Sequence, residues 1–389
     1  MRVLTAESLR QRRQALISRR RLVGTGALVG AGALLGRPGA IGAQDATPAA
    51  LGAPVSGAIV RNPWEPEWST EPRFFEVISR DGDTVTVNTR QDGVQEFPAN
   101  AERIFLMSGE EDIFLALGEE DRIIGVATDT RGTLVYTNQE EADSRMDFYA
   151  LVLNDNVWEP DLELVLSAEP DLIIGQGEYI LNDERYALTS RIVPTLRYPQ
   201  VTYVYPRQAL LDFGALLGVE DHAEAALEAY NDTMQRAREA IAPVVADTEV
   251  LVTWYQGQGT FIVFTGWSIN PVTGGIEASS SVSSPLFFEL GLKPLGAVEA
   301  LADADRAEYY IEMGLEEFGR LDADYIFVSG DPAMIADEML TSPVVQSMRA
   351  VKNDNLVVID DTGSLGLGYY GNLAQVALIV ETLTGQPFE

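Results

Sequence analysis

The chain has no cysteine and a single histidine, His222, among 389 residues. The missing thiols exclude a disulfide framework, a thiolate metal site and a lipid anchor on an N-terminal Cys. One imidazole cannot build a His-rich metal centre, and it makes Ser-His or Cys-His nucleophilic catalysis improbable. Lysine is scarce too, with only Lys293 and Lys352. The glycine-rich stretches "VTGG" and "GSLGLGYYG" fit neither a phosphate-cradling loop nor a nucleophile elbow. No catalytic or metal-ligating residue is therefore assigned. An exported enzyme would have to work through carboxylate pairs.

Negative charge is what the chain has in excess, at a formal net of −32. Its basic residues are concentrated at the start. Ser18-Arg19-Arg20-Arg21-Leu22-Val23 fits the twin-arginine export pattern, and a Gly- and Ala-rich apolar run from Leu22 to Leu35 follows it. "AIGAQDATPAA" then offers a cleavage point after Ala43. The run is too short and too glycine-rich for a good membrane span. Residues 1–43 thus read as a twin-arginine signal peptide, and the mature chain as periplasmic or cell-surface, not a Cys-anchored lipoprotein. With eight Arg and one Glu removed, the remainder holds 19 basic and 58 acidic residues, a net of −39. Such a surface repels nucleic acid and anionic lipid.

Residues 44–72 are rich in Pro, Gly and Ala without periodicity and read as a linker. In residues 73–100, apolar alternation around Asp81-Gly82 and Asp92-Gly93 predicts short strands joined by tight turns. Residues 101–206 alternate strand and helix patterns: "RIFLMS", "EEDIFLALGEED" stopped by Gly118, "RIIGVATD", a helix from Pro160 to Ala168, a strand from Leu172 to Gly175, and a further strand around Thr202–Tyr205. Residues 207–246 give no strand signal and read as one long amphipathic helix. In residues 247–389, strands "EVLVTWYQ", "TFIVFT", "DYIFVSG" and "NLVVID" precede a final helix over Asn372–Thr384. The fold class is α/β: two parallel-sheet lobes joined by one long helix.

One device occurs twice, about 150 residues apart: "DLELVLSAEPDLIIG" from Asp161 and "GLEEFGRLDADYIFV" from Gly314. In each copy a Glu stands third, and an Asp eight residues later opens an apolar run. On a helix, Leu162, Val165 and Leu166 share one face, and Glu163 lies about 110° from its middle at 100° per residue. Glu316 takes the matching place in the second copy. A single first-turn carboxylate is adequately explained by the helix dipole. Two matching outward carboxylates, one per lobe, suggest two contact points for one external partner.

At these residues the chain resembles the solute-binding proteins of ABC importers that carry ferric siderophores, haem and cobalamin. The landmarks are "FPANAERIFLMSGEEDIFLALGEEDRIIGVATD", "WEPDLELVLSAEPDLIIG", the long helix, "GLEEFGRLDADYIFVSG" and "SPVVQSMRAVKNDNLVVID", in that order over roughly residues 84–385. The resemblance implies a ligand held between two rigid lobes, and a Glu on each lobe pairing with Arg residues of the permease. Here those are Glu163 and Glu316, with the adjacent Glu317 as rival. It implies a monomeric binder with no covalently bound cofactor, a small-molecule iron complex as ligand and transmembrane permease subunits as partner. Ferric siderophore is the favoured ligand; haem, cobalamin or a ligand sensor without transport are the alternatives.

Ligands in such sheets sit beyond the carboxyl ends of strands and between domains. The candidate ligand contacts are Ser108, Arg131, Trp158 and Tyr179 in the first lobe, and Trp254, Tyr255, Trp267, Tyr369 and Tyr370 in the second. A siderophore already satisfies its iron, so the protein need supply only aromatic faces and cations for the chelate's oxygens. Arg131 is the best single cation, because a planar guanidinium binds paired oxygens. His222 reads as a solvated helix residue.

Overall fold

The computed structural model describes residues 74–89, 91–108, 110–126, 161–177, 180–198, 206–245, 248–265, 267–269, 276–278, 285–301, 310–360 and 369–388, with residues 2–4 and positions 8, 11, 12 and 15 near the N-terminus. The expected strand at Thr202–Tyr205 lies outside them.

Strand β1 (Arg2–Leu4) lies inside the expected leader. The first lobe opens on a three-stranded antiparallel meander, β2 (Phe75–Asp81), β3 (Thr84–Thr89) and β4 (Gly93–Pro98). Its turns use Gly82 and Gly93 at φ of +58° and +73°, a conformation that favours glycine. Val85, Val87 and Phe97 point inward, the alternation that period-two patterning demands.

Then come β5 (Ile104–Leu106), α1 (Glu111–Leu117), β6 (Ile123–Val126), α2 (Leu162–Ser167), β7 (Leu172–Gln176), α3 (Asp183–Thr189) and β8 (Thr195–Tyr198). The four strands form an all-parallel sheet in the order β6-β5-β7-β8. Both its faces are covered: Ile104, Leu106, Leu172 and Ile174 enter one core, and Phe105, Met107 and Ile173 the other. Continuous apolar runs rather than alternating ones are what such a doubly covered sheet requires.

The connection between lobes is two helices, α4 (Pro206–Leu217) and α5 (Glu220–Val245). Gly218, at φ +74°, ends the first before the second starts. The longer, α5, has 26 residues and buries Ala223, Ala226, Tyr230, Met234, Ala237 and Ile241, one stripe at three- and four-residue steps.

The second lobe contains β9 (Glu249–Gly257), β10 (Thr260–Phe264), β11 (Trp267–Ile269), β12 (Ile276–Ala278), β13 (Lys293–Pro294), β14 (Tyr310–Gly314), α6 (Leu315–Phe318), β15 (Tyr325–Gly330), β16 (Leu356–Asp360) and α7 (Tyr369–Thr384). Its main sheet runs β1-β16-β15-β9-β10-β14, with β13 also pairing β9. This sheet is mixed rather than purely parallel. Only Gln258 and Gly259 separate β9 from β10, and so short a connection permits only antiparallel pairing. Residues 2–4 add a parallel strand to the β16 edge, with Arg2 opposite Val357 and Leu4 opposite Ile359.

One hydrophobic cluster runs from Phe74 and the β5 face of the first lobe, through α4 and α5, to Val250, Val252, Phe327, Val357 and the buried side of α7. The joint between lobes is thus built like a core. No helix among the described residues is long and apolar enough to cross a membrane.

Candidate functional site

The repeated device folds as the same unit in both lobes, and its aspartates explain why. Asp171, immediately before β7, accepts hydrogen bonds from the backbone N–H groups of Glu102 and Arg103 at 2.9 and 3.1 Å, while its own N–H donates to Arg103 O. Asp324, immediately before β15, accepts from Glu249 N at 3.0 Å and donates its N–H to Glu249 O. Each Asp ties the entry of its strand to the entry of the central strand beside it. An arginine closes each unit. Arg103 donates to the carbonyls of Ala168 and Glu169 at the end of α2, and Arg349 meets Asp324 at 3.2 Å and donates to Asp322 O.

The glutamates ride on these anchored helices. Asp161 caps α2 by accepting from the N–H groups of Glu163 and Leu164. Val165 is buried and Glu163 exposed. In α6, Phe318 is buried and stacks on Phe261 with centroids 3.8 Å apart, while Glu316 and Glu317 are both exposed. Glu163 and Glu316 are each the second residue of their helix. Thr260 pairs with both Gly257 and Gly314, so β9 and β14 end at the same level. Glu316 and Glu317 therefore stand at the carboxyl end of the second sheet.

The carboxyl ends of the two sheets border one interlobe region. Asp112 of α1, fully buried, accepts from Gly371 N in the first turn of α7 at 2.9 Å. That bond joins the helix following β5 to the helix following β16. A second link is ionic. Glu289 of the second lobe is 1% exposed and held bidentately by Arg207 of α4 at 2.9 and 2.6 Å, with the Tyr230 hydroxyl of α5 donating at 2.8 Å. Burial, together with the nearby Glu289 carboxylate, holds the Tyr230 hydroxyl well above its usual pKa.

On the first-lobe side, Ser108 Oγ accepts from Gln176 N at 2.8 Å, which ties the end of β5 to the end of β7. Ser108 N donates to Glu110 Oε2 at 2.9 Å, and the Tyr198 hydroxyl donates to Glu110 Oε1. Burial pushes the Glu110 carboxyl up to about 7, against the lowering effect of these donors. Sequence reasoning did not single out Glu110. Its one available signal was its place directly after a buried strand.

Of the other expected contacts, Arg131, Trp158 and Tyr179 lie outside the described residues. Trp267 belongs to the β11–β12 hairpin, and its side chain lies outside them too. Trp254 stands near the carboxyl end of β9 and is 40% exposed. Tyr255 does not sit on a cleft loop. Strand alternation turns it to the opposite face, into the second core, where its hydroxyl donates to Glu338 and accepts from Gly259 N. Tyr369 and Tyr370 also differ from expectation. The last helix begins at Tyr369 rather than Asn372, and its first turn packs on α5, which buries both rings. Tyr369 donates to Ala226 O and lies 5.4 Å from the Tyr230 ring. Tyr255 thus packs within the second lobe, and Tyr369 and Tyr370 pack at the joint between α7 and α5. His222 Nδ1 meets Leu117 O at 2.8 Å, bridging α5 to the end of α1.

A polar cavity of about 390 Å³ lined by Gly319, Asp322, Arg349 and Lys352 lies at the amino end of the second sheet, away from the interlobe region. Among the described residues no group of three or more His, Cys, Asp or Glu is arranged to hold a metal.

Comparison with known proteins follows the same outline. The family model described as "Periplasmic binding protein" matches residues 104–362. The Fe(3+)-citrate-binding protein YfmC of Bacillus subtilis is 25% identical over 240 residues, 61% of this chain and 66% of the relative. The iron(3+)-hydroxamate-binding protein YxeB of the same organism is 24% identical over 205 residues, 51% of this chain and 58% of its own length. The match thus spans less than two thirds of either relative. The solved FhuD protein from S. pseudintermedius superposes at a TM-score of 0.58 with 18% identity, covering 79% of this chain and all of that one. Two α/β lobes, a helical joint with a continuous core, and a family match over most of the chain lead to one assignment: the chain belongs to the periplasmic binding protein family.

Proposed function

We propose that this chain captures a ferric siderophore between its lobes outside the cytoplasm and delivers it to an ABC permease. The observation that carries the reading is the paired platform: Glu163 and Glu316 exposed at the same helical position in two lobes, each on an aspartate-anchored unit. A permease presenting two Arg sites would meet both. Isolated exposed ion pairs are weak, but two of them set apart by the width of a protein fix orientation and speed encounter. Support for an iron chelate as ligand comes from the relatives, whose names specify Fe(3+)-citrate and iron(3+)-hydroxamate. Iron arrives already coordinated, so it is cargo and asks for no ligand set from the protein. Ser108, Trp254, Arg131, Trp158, Tyr179 and Trp267 are the residues proposed to meet the organic shell. The twin-arginine segment directs export of the folded chain, which binds its ligand without turnover.

Tryptophan fluorescence of the chain lacking residues 1–43, titrated with ferric citrate, a ferric trihydroxamate, a ferric catecholate, haem and cobalamin, tests the ligand class. Saturable quenching by a ferric chelate at micromolar concentration is expected; silence from every chelate refutes the reading. Glu163→Lys with Glu316→Lys should abolish uptake in cells while leaving ligand affinity unchanged. Unimpaired uptake by the double variant removes the docking role.

A further inference from the structure

The β3–β4 turn brings one side chain over the end of the neighbouring parallel sheet. The side-chain amide of Gln91 lies directly over Gly177, the residue that follows β7: a Cβ built on Gly177 would stand 2.0 Å from Gln91 Oε1 and 2.7 Å from Nε2. Only glycine permits that approach. Gln91 is exposed, and among the described residues its amide has no hydrogen-bond partner.

What holds the turn that carries it is a buried ion pair. Arg197 of β8 grips Asp92, the neighbour of Gln91, through two hydrogen bonds at 2.7 and 2.6 Å. The same guanidinium reaches Asp183 of α3 at 2.8 Å and lies 4.2 Å from the Tyr186 ring centre, and Gln95 donates to the Tyr186 hydroxyl. The hydrogen bonds to Asp92, reinforced by Asp183, raise the hold of Arg197 on its proton above the usual. Arg197 thus ties the β3–β4 turn and α3 to the edge strand of the first-lobe sheet. It sets the turn, with the polar, uncharged side chain that the turn carries, at the carboxyl ends of β7 and β8, where ligands of parallel sheets bind.

We infer that Gln91 is a ligand-selecting residue of the first-lobe wall, donating a hydrogen bond to an oxygen of the chelate shell, and that Asp92 and Arg197 are its positioning residues. The inference rests on the chelate-binding reading above. A neutral donor suits this chain in particular: on so acidic a protein, a carboxylate at that position would repel an anionic chelate.

The test is affinity by tryptophan quenching for two probes, anionic ferric citrate and a neutral ferric trihydroxamate. Gln91→Ala should weaken the better-bound probe about fivefold with an unchanged melting temperature, the worth of one hydrogen bond. Gln91→Glu should weaken ferric citrate at least about tenfold, and the neutral chelate no more than Gln91→Ala does. Gly177→Ala, which displaces the amide, should match Gln91→Ala, and adding Gln91→Ala to Asp92→Asn should cost nothing further, since both remove one interaction. A purely structural role would lower the melting temperature without separating the two probes. Wild-type affinity for both probes in Gln91→Ala and Gln91→Glu overturns the inference and leaves the function standing. Failure of the wild-type chain to bind any ferric chelate, the catecholate included, overturns the function, and this inference with it.

Discussion

Glu110 follows a buried strand within "GEED", a run that in sequence looks like the solvated start of a helix. Its carboxyl is instead enclosed, 3% exposed, between Tyr198, Ser108 and the first turn of α1. The folded protein keeps this proton up to about pH 7, while the ordinary value is 4.5. Between those values the native state binds more protons than the unfolded chain, so stability falls as pH rises. The contribution is complete below 4.5 and gone above 7. Glu110→Gln keeps an acceptor for Tyr198 and removes the titration. Its stability relative to wild type should therefore improve by roughly 3 kcal/mol on going from pH 4.5 to 7.5, at 1.36 kcal/mol per unit, read from urea titrations at both pH values. An unchanged difference would mean that Glu110 is already ionised. This residue was not legible in the sequence because its enclosure depends on Tyr198, 88 positions away. Tyr369 and Tyr370 were misjudged for a related reason: an aromatic pair after a glycine-rich stretch looks like a loop, and only the packing of α7 on α5 buries it.

At the level of elements, the repeat was legible almost entirely, spacing included, because everything in it is local. A Glu on the second helical position, an apolar residue facing inward and an Asp before the strand need no distant partner to be recognised. What the sequence could not supply was the purpose of the Asp, since its acceptor role is toward the strand next door: Glu102 and Arg103 for Asp171, Glu249 for Asp324. A carboxylate accepting backbone N–H bonds contributes on the order of 1.5–3 kcal/mol. Asp171→Ala and Asp324→Ala should each destabilise by about 2 kcal/mol in chemical denaturation. Glu163→Gln and Glu316→Gln, exposed and outside that bond network, should stay within about 0.5 kcal/mol of wild type. A loss of 2 kcal/mol at Glu163 would show that it serves the fold rather than a partner. "TFIVFT" was legible as a strand but its antiparallel direction was not, because direction is fixed by the two-residue turn before it and not by the strand itself.

For the whole molecule, the two-lobe plan was readable from alternating strand and helix patterns, whereas the joint was not. The sequence pointed to a single long helix. The structure adds a break at Gly218, a hydrophobic cluster continuous from lobe to lobe, the Asp112–Gly371 bond across 259 positions and the Glu289 knot. None of these pairings leaves a periodic trace, since each partner is a single polar residue inside an otherwise unremarkable segment. Together they decide how far the lobes can move. A hinge of exposed loop would open freely, but separating these lobes would strip apolar surface from the shared core and expose a bidentate ion pair. The radius of gyration of the free protein should therefore differ little from that of the ligand-bound form. Glu289 offers the sharpest check. Arg207→Ala leaves a carboxylate buried without its cation and should destabilise by about 3–5 kcal/mol, whereas replacing both members, Arg207→Met with Glu289→Gln, should restore part of that loss because no charge is stranded. If the single variant costs under about 1 kcal/mol, water already reaches Glu289 and the joint is loose. If the cost is large and small-angle scattering of the single variant shows a broader ensemble than wild type, the ion pair restrains the lobes as well as stabilising them. Ligand affinity then follows the same variable: a cleft held near one width loses less freedom when it closes on a rigid chelate than one that must first be ordered.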